Sequence, residues 1–115
     1  MTEPVLFDFD RNFRFSQNVK FKFVLLQTPD CSLLVRGWTA AEFHADVAEE
    51  AERRENTKFT VIGGGRIHVN NGNILVYGHS LGFPWPKGHS RNELVAEILK
   101  INLSGCSITW SNEGY

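Results

Sequence analysis

The stretch VKFKFVLLQ, residues 19–27, begins the predicted fold. It is rich in β-branched and aromatic residues, which favour an extended backbone. Thr28-Pro29-Asp30 interrupts it, and a second apolar run follows at residues 33–35. We therefore predict two strands joined by a turn.

Downstream of these strands, two segments have the periodicity of amphipathic helices. In the first, residues 40–54, apolar side chains recur at spacings of three and four, which marks one face of a helix. These positions are Ala40, Phe43, Val47 and Ala51. The second helix is indicated by Ser90-Arg91-Asn92-Glu93, a capping-box pattern, followed by apolar residues on one side. They are Leu94, Val95, Ile98 and Leu99.

Further strands are predicted at residues 59–62, 66–69, 74–77 and 107–110. Asn70-Asn71-Gly72-Asn73 lies between two of them, and Asn-Gly tolerates the positive φ angles of a tight hairpin turn. Hairpin-length connections favour antiparallel neighbours. We therefore predict an α+β fold, with a single mixed, mostly antiparallel sheet of about five or six strands flanked by two helices.

Length and charge restrict the class of protein. A chain of 115 residues has room for one compact domain, which we expect to span residues 1–115 with no assignment for residues 1–18. Its 12 basic and 13 acidic side chains nearly cancel, so it lacks the positive field that sequence-independent binding of nucleic acid or anionic lipid usually needs. No apolar run is long enough for a membrane span, and the first residues show no secretory pattern. We expect a cytoplasmic monomer that binds neither nucleic acid nor membrane.

Neither the histidines nor the cysteines are spaced as metal ligands. Cys31 and Cys106 lie far apart, and the chain has no HExxH or CxxC pattern. We expect no metal and no cofactor. A metal hydrolase is a minor alternative, and its candidate ligands would be His44, Asp46, His68, His79 and His89.

Three segments carry chemistry that core packing does not require. Phe43-His44-Ala45-Asp46 places a histidine, which titrates near neutral pH, beside helix-start N–H groups that can hold an anion. Gly63-Gly64-Gly65-Arg66 combines close backbone approach with a guanidinium that can grip phosphate. Tyr77-Gly78-His79-Ser80-Leu81-Gly82 is a strand end that offers a hydroxyl and backbone donors. Each has a plain alternative: a boundary histidine beside the apolar stripe, a bulge or bend between two strands, and an ordinary strand exit.

Six motifs occur in one order along the chain: FKFVLL, VRGW, EFHADV, GGGRI, YGHS and, at the C-terminus, TWSNEGY. Together they resemble the phosphohistidine phosphatases, the Janus/Ocnus family, over residues 20–115. The resemblance implies an enzyme that hydrolyses phosphohistidine on other proteins without a metal. It leaves open whether phospholysine is also accepted. The partners would be phosphohistidine-containing proteins.

The resemblance also implies the residues of the site. The histidine of the HAD segment is catalytic in the family and falls on His44, which would act as a general base or as the nucleophile. We expect His44 to be a partly exposed side chain whose replacement leaves the fold intact. The predicted phosphate-binding residues are Lys22 of the first strand, Ala45 through its backbone N–H group, Arg36 of VRG, Arg66 of GGGRI, and Ser80, Leu81 and Gly82 of the loop.

Two signals conflict at the start of the first helix. Thr39-Ala40-Ala41-Glu42 has a capping-box pattern that would begin the helix at Ala40, and the N–H groups of His44 and Ala45 would then bond back along it. The resemblance implies instead that the helix begins near His44, with residues 39–43 in a separate turn. We predict this second arrangement, because an imidazole and free N–H groups at a helix N-terminus form one anion site.

The chain departs from the family at two places, one within the YGHS motif and one in the loop after it. His79 precedes the loop serine where relatives often have an aromatic residue, and the loop at residues 83–88 is slightly longer. These departures leave the substrate preference open. A binding module that holds a phosphorylated segment in the same pocket without turnover is the main alternative to an enzyme.

Overall fold

A computed structural model of the protein describes residues 18–38, 41–102 and 107–113. Within these residues the fold is α+β, with two helices and one open mixed sheet of five strands, as the sequence predicts. The elements in chain order are β1 (Val19–Gln27), β2 (Leu33–Trp38), α1 (His44–Glu55), β3 (Thr60–Asn70), β4 (Asn73–Tyr77), a 3-10 turn (Pro86–Gly88), α2 (Asn92–Asn102) and β5 (Ser107–Trp110).

The sheet has the strand order β2-β1-β3-β4-β5. Every neighbouring pair is antiparallel except β4 and β5, which run parallel and are connected through α2. The predicted hairpin between β3 and β4 is confirmed, since Asn71 and Gly72 have φ angles of 52° and 82°. The β1–β2 and β3–β4 pairs are therefore local along the chain, whereas β1 and β3 pair across a connection that contains β2 and α1.

The two faces of the sheet pack against different helices because side chains alternate along each strand. On one face, Phe21, Phe23 and Leu25 of β1 join a core cluster that includes residues of α2. On the other face, Val24 and Leu26 pack against α1. By the same alternation, Lys22 lies on the α1 face.

The glycine-rich segment lies inside a strand rather than between two strands. The sequence predicts separate strands at residues 59–62 and 66–69, but β3 continues through residues 63–65 and stays paired with β1. The ladder contains one irregularity, because Leu26 pairs with Val61 whereas Leu25 pairs with Gly63. The bulge that the sequence left as an alternative therefore falls beside the glycines, and it adds one residue to β3 without ending the strand.

The first helix begins at His44, as predicted. Phe43 is extended and precedes the helix, and its N–H group donates to Asp46 Oδ2 at 2.9 Å. Ala41 N donates to Trp38 O at 3.1 Å in a turn before the helix. Thr39 and Ala40, on which the competing capping box depends, lie outside the described residues.

The second helix begins at Asn92, so the prediction of a Ser90 capping box is wrong. The carbonyl of Arg91 accepts the first helical hydrogen bonds, from the N–H groups of Leu94 and Val95. The N–H group of Asn92 donates instead to Asn112 Oδ1 at 3.0 Å. A side chain from the C-terminal segment thus takes the place of a local cap, which a spacing pattern cannot show.

Candidate active site

A cavity of about 450 Å³ opens on the α1 face of the sheet. It contains every phosphate-site residue predicted from the sequence except Arg36, together with the predicted catalytic histidine. Its walls are formed by Lys22, Phe43, His44, Ala45, Arg66, His79, Ser80, Leu81, Gly82 and Phe83. No carboxylate is among the described residues that line it, so its charged side chains are cationic or titrate to cations.

His44 is held at the base of this cavity by the backbone of β3. Its side chain is buried, with 8% of the residue surface exposed, so the expectation of a partly exposed side chain is wrong. Its Nε2 atom lies 2.8 Å from the carbonyl oxygen of Gly65. A carbonyl oxygen can only accept, so Nε2 carries the hydrogen and the Nδ1 atom of the neutral ring keeps its lone pair.

The environment of His44 favours that neutral ring. Burial lowers the pKa of the imidazole below its ordinary value of 6.5, although the hydrogen bond to Gly65 acts in the opposite direction. The positive charges of Lys22 and Arg66 lower the pKa further, as does His79. A neutral imidazole with a free lone pair can accept a proton or attack an electrophile.

Gly64 provides the room that the imidazole occupies. A Cβ atom at this position would lie 2.9 Å from His44 Cδ2 and 3.3 Å from Ser80 Cβ. At the neighbouring Gly63, a Cβ atom would lie 2.4 Å from Cδ2 of Trp85. The indole N–H of Trp85 donates to Gly64 O at 3.1 Å. The absence of a side chain at Gly63 and Gly64 therefore leaves room for Trp85 on one face of β3 and for His44 on the other.

Lys22 and Arg66 form the cationic wall of the cavity. They are direct partners in the antiparallel ladder of β1 and β3, so their side chains lie on the same face. The Cβ atoms of such partners are about 5 Å apart, and like charges in this arrangement repel each other. An anion between the two side chains would relieve that repulsion, which makes this part of the cavity a favourable place for a phosphoryl group.

One backbone N–H group and one hydroxyl group complete the polar lining of the cavity. The N–H group of Ala45 lies in the first turn of α1, and no hydrogen-bond acceptor for it is found in the part of the chain that the structure describes. Ser80 is buried, and its Oγ atom accepts the N–H of Phe83 at 3.2 Å, which orders the loop. Helix-start N–H groups and a hydroxyl are suitable donors to phosphate oxygens.

Arg36 is not among the residues that line the cavity. It is buried, with 1% of its surface exposed, and its guanidinium binds Glu55 of α1 through Nε–Oε2 at 2.8 Å and Nη2–Oε1 at 3.1 Å. Its Nη1 atom donates to Val35 O at 3.0 Å. The side chain therefore joins β2 to α1, and the site proposed below omits it.

Asn92, which no sequence pattern marks as part of a site, holds the loop that forms one wall of the cavity. Its Nδ2 atom donates to Gly78 O at 3.0 Å and to Ser111 O at 2.8 Å. The Oδ1 atom of Asn112 accepts a hydrogen bond from the backbone N–H of Asn92. The conspicuous TWSNEGY motif thus anchors the residues just before His79 and Ser80. The only sequence signal for this role was the motif itself.

Comparison with known proteins identifies the family of the chain. The Janus/Ocnus family (Ocnus) matches residues 11–106 of the chain. The chain belongs to the Janus/Ocnus family. Every residue that lines the cavity of this Janus/Ocnus chain lies within the matched range.

Three curated relatives of the chain carry two kinds of name. The 14 kDa phosphohistidine phosphatase of Sus scrofa is 30% identical over 110 residues, which cover 83% of this chain and 84% of the pig protein. The Homo sapiens protein of the same name is 30% identical over 87 residues, covering 71% of this chain and 66% of the human one. The sex-regulated protein janus-A of Drosophila pseudoobscura pseudoobscura is 29% identical over 109 residues, covering 83% and 70%.

Two further features of the described residues bear on possible partners. Within residues 18–38, 41–102 and 107–113, no three histidine, cysteine, aspartate or glutamate side chains come together as a metal site would require. Neither of the two helices described there is long and apolar enough to cross a membrane.

Proposed function

We propose that this protein hydrolyses phosphohistidine on other proteins, with His44 as the reacting residue and without a metal ion. The observation that carries the proposal is the position of the neutral His44 imidazole in one cavity with Lys22 and Arg66. The names of the pig and human relatives support the choice of substrate.

The cavity can hold a phosphoryl group through four kinds of donor. Lys22 and Arg66 provide charge, the N–H group of Ala45 lies at the positive end of α1, and Ser80 provides a hydroxyl. Preorganised donors of this kind stabilise charge on the phosphoryl oxygens in the transition state without reorganising. The protein therefore supplies positioning and electrostatics, which are the main requirements of phosphoryl transfer.

The reaction breaks the P–N bond of phosphohistidine and forms a P–O bond to water. In one route, Nδ1 of His44 takes a proton from the attacking water as a general base. In the other, Nδ1 attacks phosphorus, and water then hydrolyses the phosphorylated His44. Both routes need the lone pair that the hydrogen bond to Gly65 leaves on Nδ1.

A binding module that recognises a phosphorylated segment without turnover would use the same donors. The feature that favours an enzyme is His44, because a buried neutral imidazole gives little electrostatic binding energy to a phosphate and is suited to accept a proton. Phospholysine shares the P–N bond and is a second candidate substrate.

The decisive experiment measures phosphate release from a phosphohistidine peptide by the wild-type protein and by His44→Ala. We expect the substitution to lower kcat more than 100-fold, in keeping with the loss of a general base or nucleophile. The control is His68→Ala, since His68 lies on β3 outside the cavity and contacts Asn18. Circular dichroism must show that each variant is folded, because removing the buried His44 side chain leaves Gly65 O without its donor at a cost of about 1–3 kcal/mol.

Three outcomes would contradict the proposal in different ways. Near-normal turnover by His44→Ala would remove His44 from the chemistry. Tight binding of the peptide by the wild-type protein without phosphate release would favour the binding module. Loss of activity in a chelator, restored by a divalent metal, would show that the hydrolysis needs a metal ion.

A further inference from the structure

A second cavity, of about 460 Å³, lies beside the first and shares a wall with it. The shared residues are His79, Ser80 and Leu81. The remaining residues around the second cavity are Pro84, Trp85, Gly88, His89, Ser90 and Asn112. A substrate that reached from the first cavity into the second would pass these three residues.

In the first cavity, the reacting residue His44 cannot itself supply the proton that the leaving group needs. Nε2 of His44 already donates its hydrogen to Gly65 O, and Nδ1 carries a lone pair in the neutral ring. His44 can thus accept a proton or attack phosphorus, but it has no proton to give at the start of the reaction. An imidazole leaves from phosphorus most readily when its other ring nitrogen is protonated, because it then departs as a neutral molecule.

We propose that His79 is the general acid that protonates the leaving imidazole of phosphohistidine. It is the imidazole that lines both the cavity with the cationic wall and the cavity into which the leaving side chain would extend. This inference rests on the proposed function, since it assigns the second proton transfer of the same hydrolysis.

The imidazolium of His79 gives one proton to the unphosphorylated ring nitrogen of the substrate histidine, the P–N bond breaks, and its electron pair returns to the leaving ring. The new P–O or P–Nδ1 bond forms on the other side of phosphorus. His79 is left neutral and regains its proton from solvent before the next turnover.

The charged and titratable groups that share a cavity with His79 come from four parts of the fold. They are Lys22 of β1, His44 of α1, Arg66 of β3 and His89 of the loop before α2. His89 lines only the second cavity, so it is the alternative donor that an experiment must separate from His79.

The test compares His79→Gln with the wild-type protein on a phosphohistidine peptide over a range of pH. Glutamine keeps much of the size and polarity of the side chain but cannot transfer a proton. We expect kcat to fall about 100-fold with KM changed less than twofold, because general acids contribute factors of this order. The decrease of kcat toward high pH, which in the wild-type protein reports the acid, should be absent from the variant.

Two control variants complete the experiment. His68→Gln changes an imidazole outside both cavities and should behave as wild type. His89→Gln separates the two candidate donors: if it, and not His79→Gln, loses turnover and the high-pH limb, then His89 is the donor and the inference is overturned. A rise in KM without loss of kcat in His79→Gln would overturn it as well, by showing a role in binding.

The inference and the proposed function fail in distinguishable ways. If the wild-type protein releases no phosphate from the peptide, the function is wrong. If the wild-type protein is active, His44→Ala is inactive and His79→Gln retains its kcat and its pH profile, only the role of His79 is refuted.

Discussion

Lys22 of β1 and Arg66 of β3 lie directly opposite each other in the antiparallel ladder, on the face that carries the cavity. Two cations in this arrangement destabilise a sheet by a fraction of a kcal/mol to about 1 kcal/mol relative to a neutral pair. Their place beside His44 and the first turn of α1 offers a reason for this cost, since a bound anion removes it.

The first prediction follows from this pair and concerns Lys22→Met. Without phosphate the variant should unfold at the same temperature as the wild type or higher, because one of the two opposed charges is gone. Inorganic phosphate should raise the unfolding temperature of the wild type and raise that of the variant much less. Thermal unfolding with and without phosphate measures both effects. Lys100→Met, on the exposed side of α2, is the control and should keep the full phosphate response. An unchanged response in Lys22→Met would place Lys22 outside the site.

The second prediction concerns the pH dependence that His44 imposes. Its pKa is lowered by burial below 6.5, so the neutral form that reacts persists into more acidic solution than an ordinary histidine allows. The acidic limb of the kcat/KM profile should therefore fall below pH 6.5. The folded state also binds a proton at this residue less readily than the unfolded state does, so the free energy of unfolding should decrease as the pH falls from 6.5 through the folded pKa.

Urea unfolding of the wild type and of His44→Gln at a series of pH values measures that decrease. The difference between the two proteins should depend on pH only in the acidic range. A difference that stayed constant with pH would show that His44 titrates as it does in the unfolded chain.

The third prediction concerns Gly64→Ala. The added Cβ atom would lie 2.9 Å from Cδ2 of His44 and 2.9 Å from the backbone oxygen of Phe23, so the imidazole must move. We expect kcat/KM to fall about 100-fold, because small displacements of a reacting group have effects of this size, and stability to fall by about 1–3 kcal/mol.

The matched control is Gly37→Ala, whose Cβ atom would lie 2.5 Å from Cε2 of Phe21, away from the cavity. That variant should lose stability but keep the activity of its folded fraction. Equal activity losses in the two variants would refute the specific effect on His44.

The fourth prediction concerns Arg36→Met, which separates a structural arginine from a phosphate-binding one. The substitution breaks the pair with Glu55, whose own side chain is 30% exposed and can return to water. We therefore expect a loss of about 2 kcal/mol in the free energy of unfolding, below the range for a fully buried pair. Phosphate affinity, measured by calorimetry below the unfolding transition, should change less than twofold. A tenfold weaker affinity would return Arg36 to the site.

Several elements could be predicted from the sequence because their signals are local. The strand β1 follows from its β-branched and aromatic residues, and the Asn71-Gly72 hairpin follows from the φ angles that single residues tolerate. The start of α1 at His44 followed from the family resemblance, against a competing capping-box pattern at residues 39–42. The motifs also contained most of the residues that line the cavity.

The signals that failed were those whose partner lies far along the chain. Ser90 matches a capping pattern, yet Asn112 bonds the first N–H group of α2, because the end of the chain after β5 passes beside that helix. Three consecutive glycines resemble a loop. They lie within β3, where glycine is needed because the space that a Cβ atom would occupy is filled by Trp85 on one face and by His44 on the other.

The sequence by itself determined the fold class, the family and the kinds of side chain available for chemistry, since periodicity, turn residues and motifs depend on near neighbours. The tertiary structure alone decided which of two similar arginines faces the cavity. Arg36 lies on β2 and Arg66 on β3, and both strands pair with β1. Glu55 of α1 binds the Arg36 side chain, whereas Arg66 lines the cavity beside the start of α1. The tertiary structure also decided the state of His44. Burial favours the neutral ring, and the carbonyl of Gly65, 21 positions along the chain, accepts from Nε2 so that the lone pair lies on Nδ1; no local pattern contains that contact.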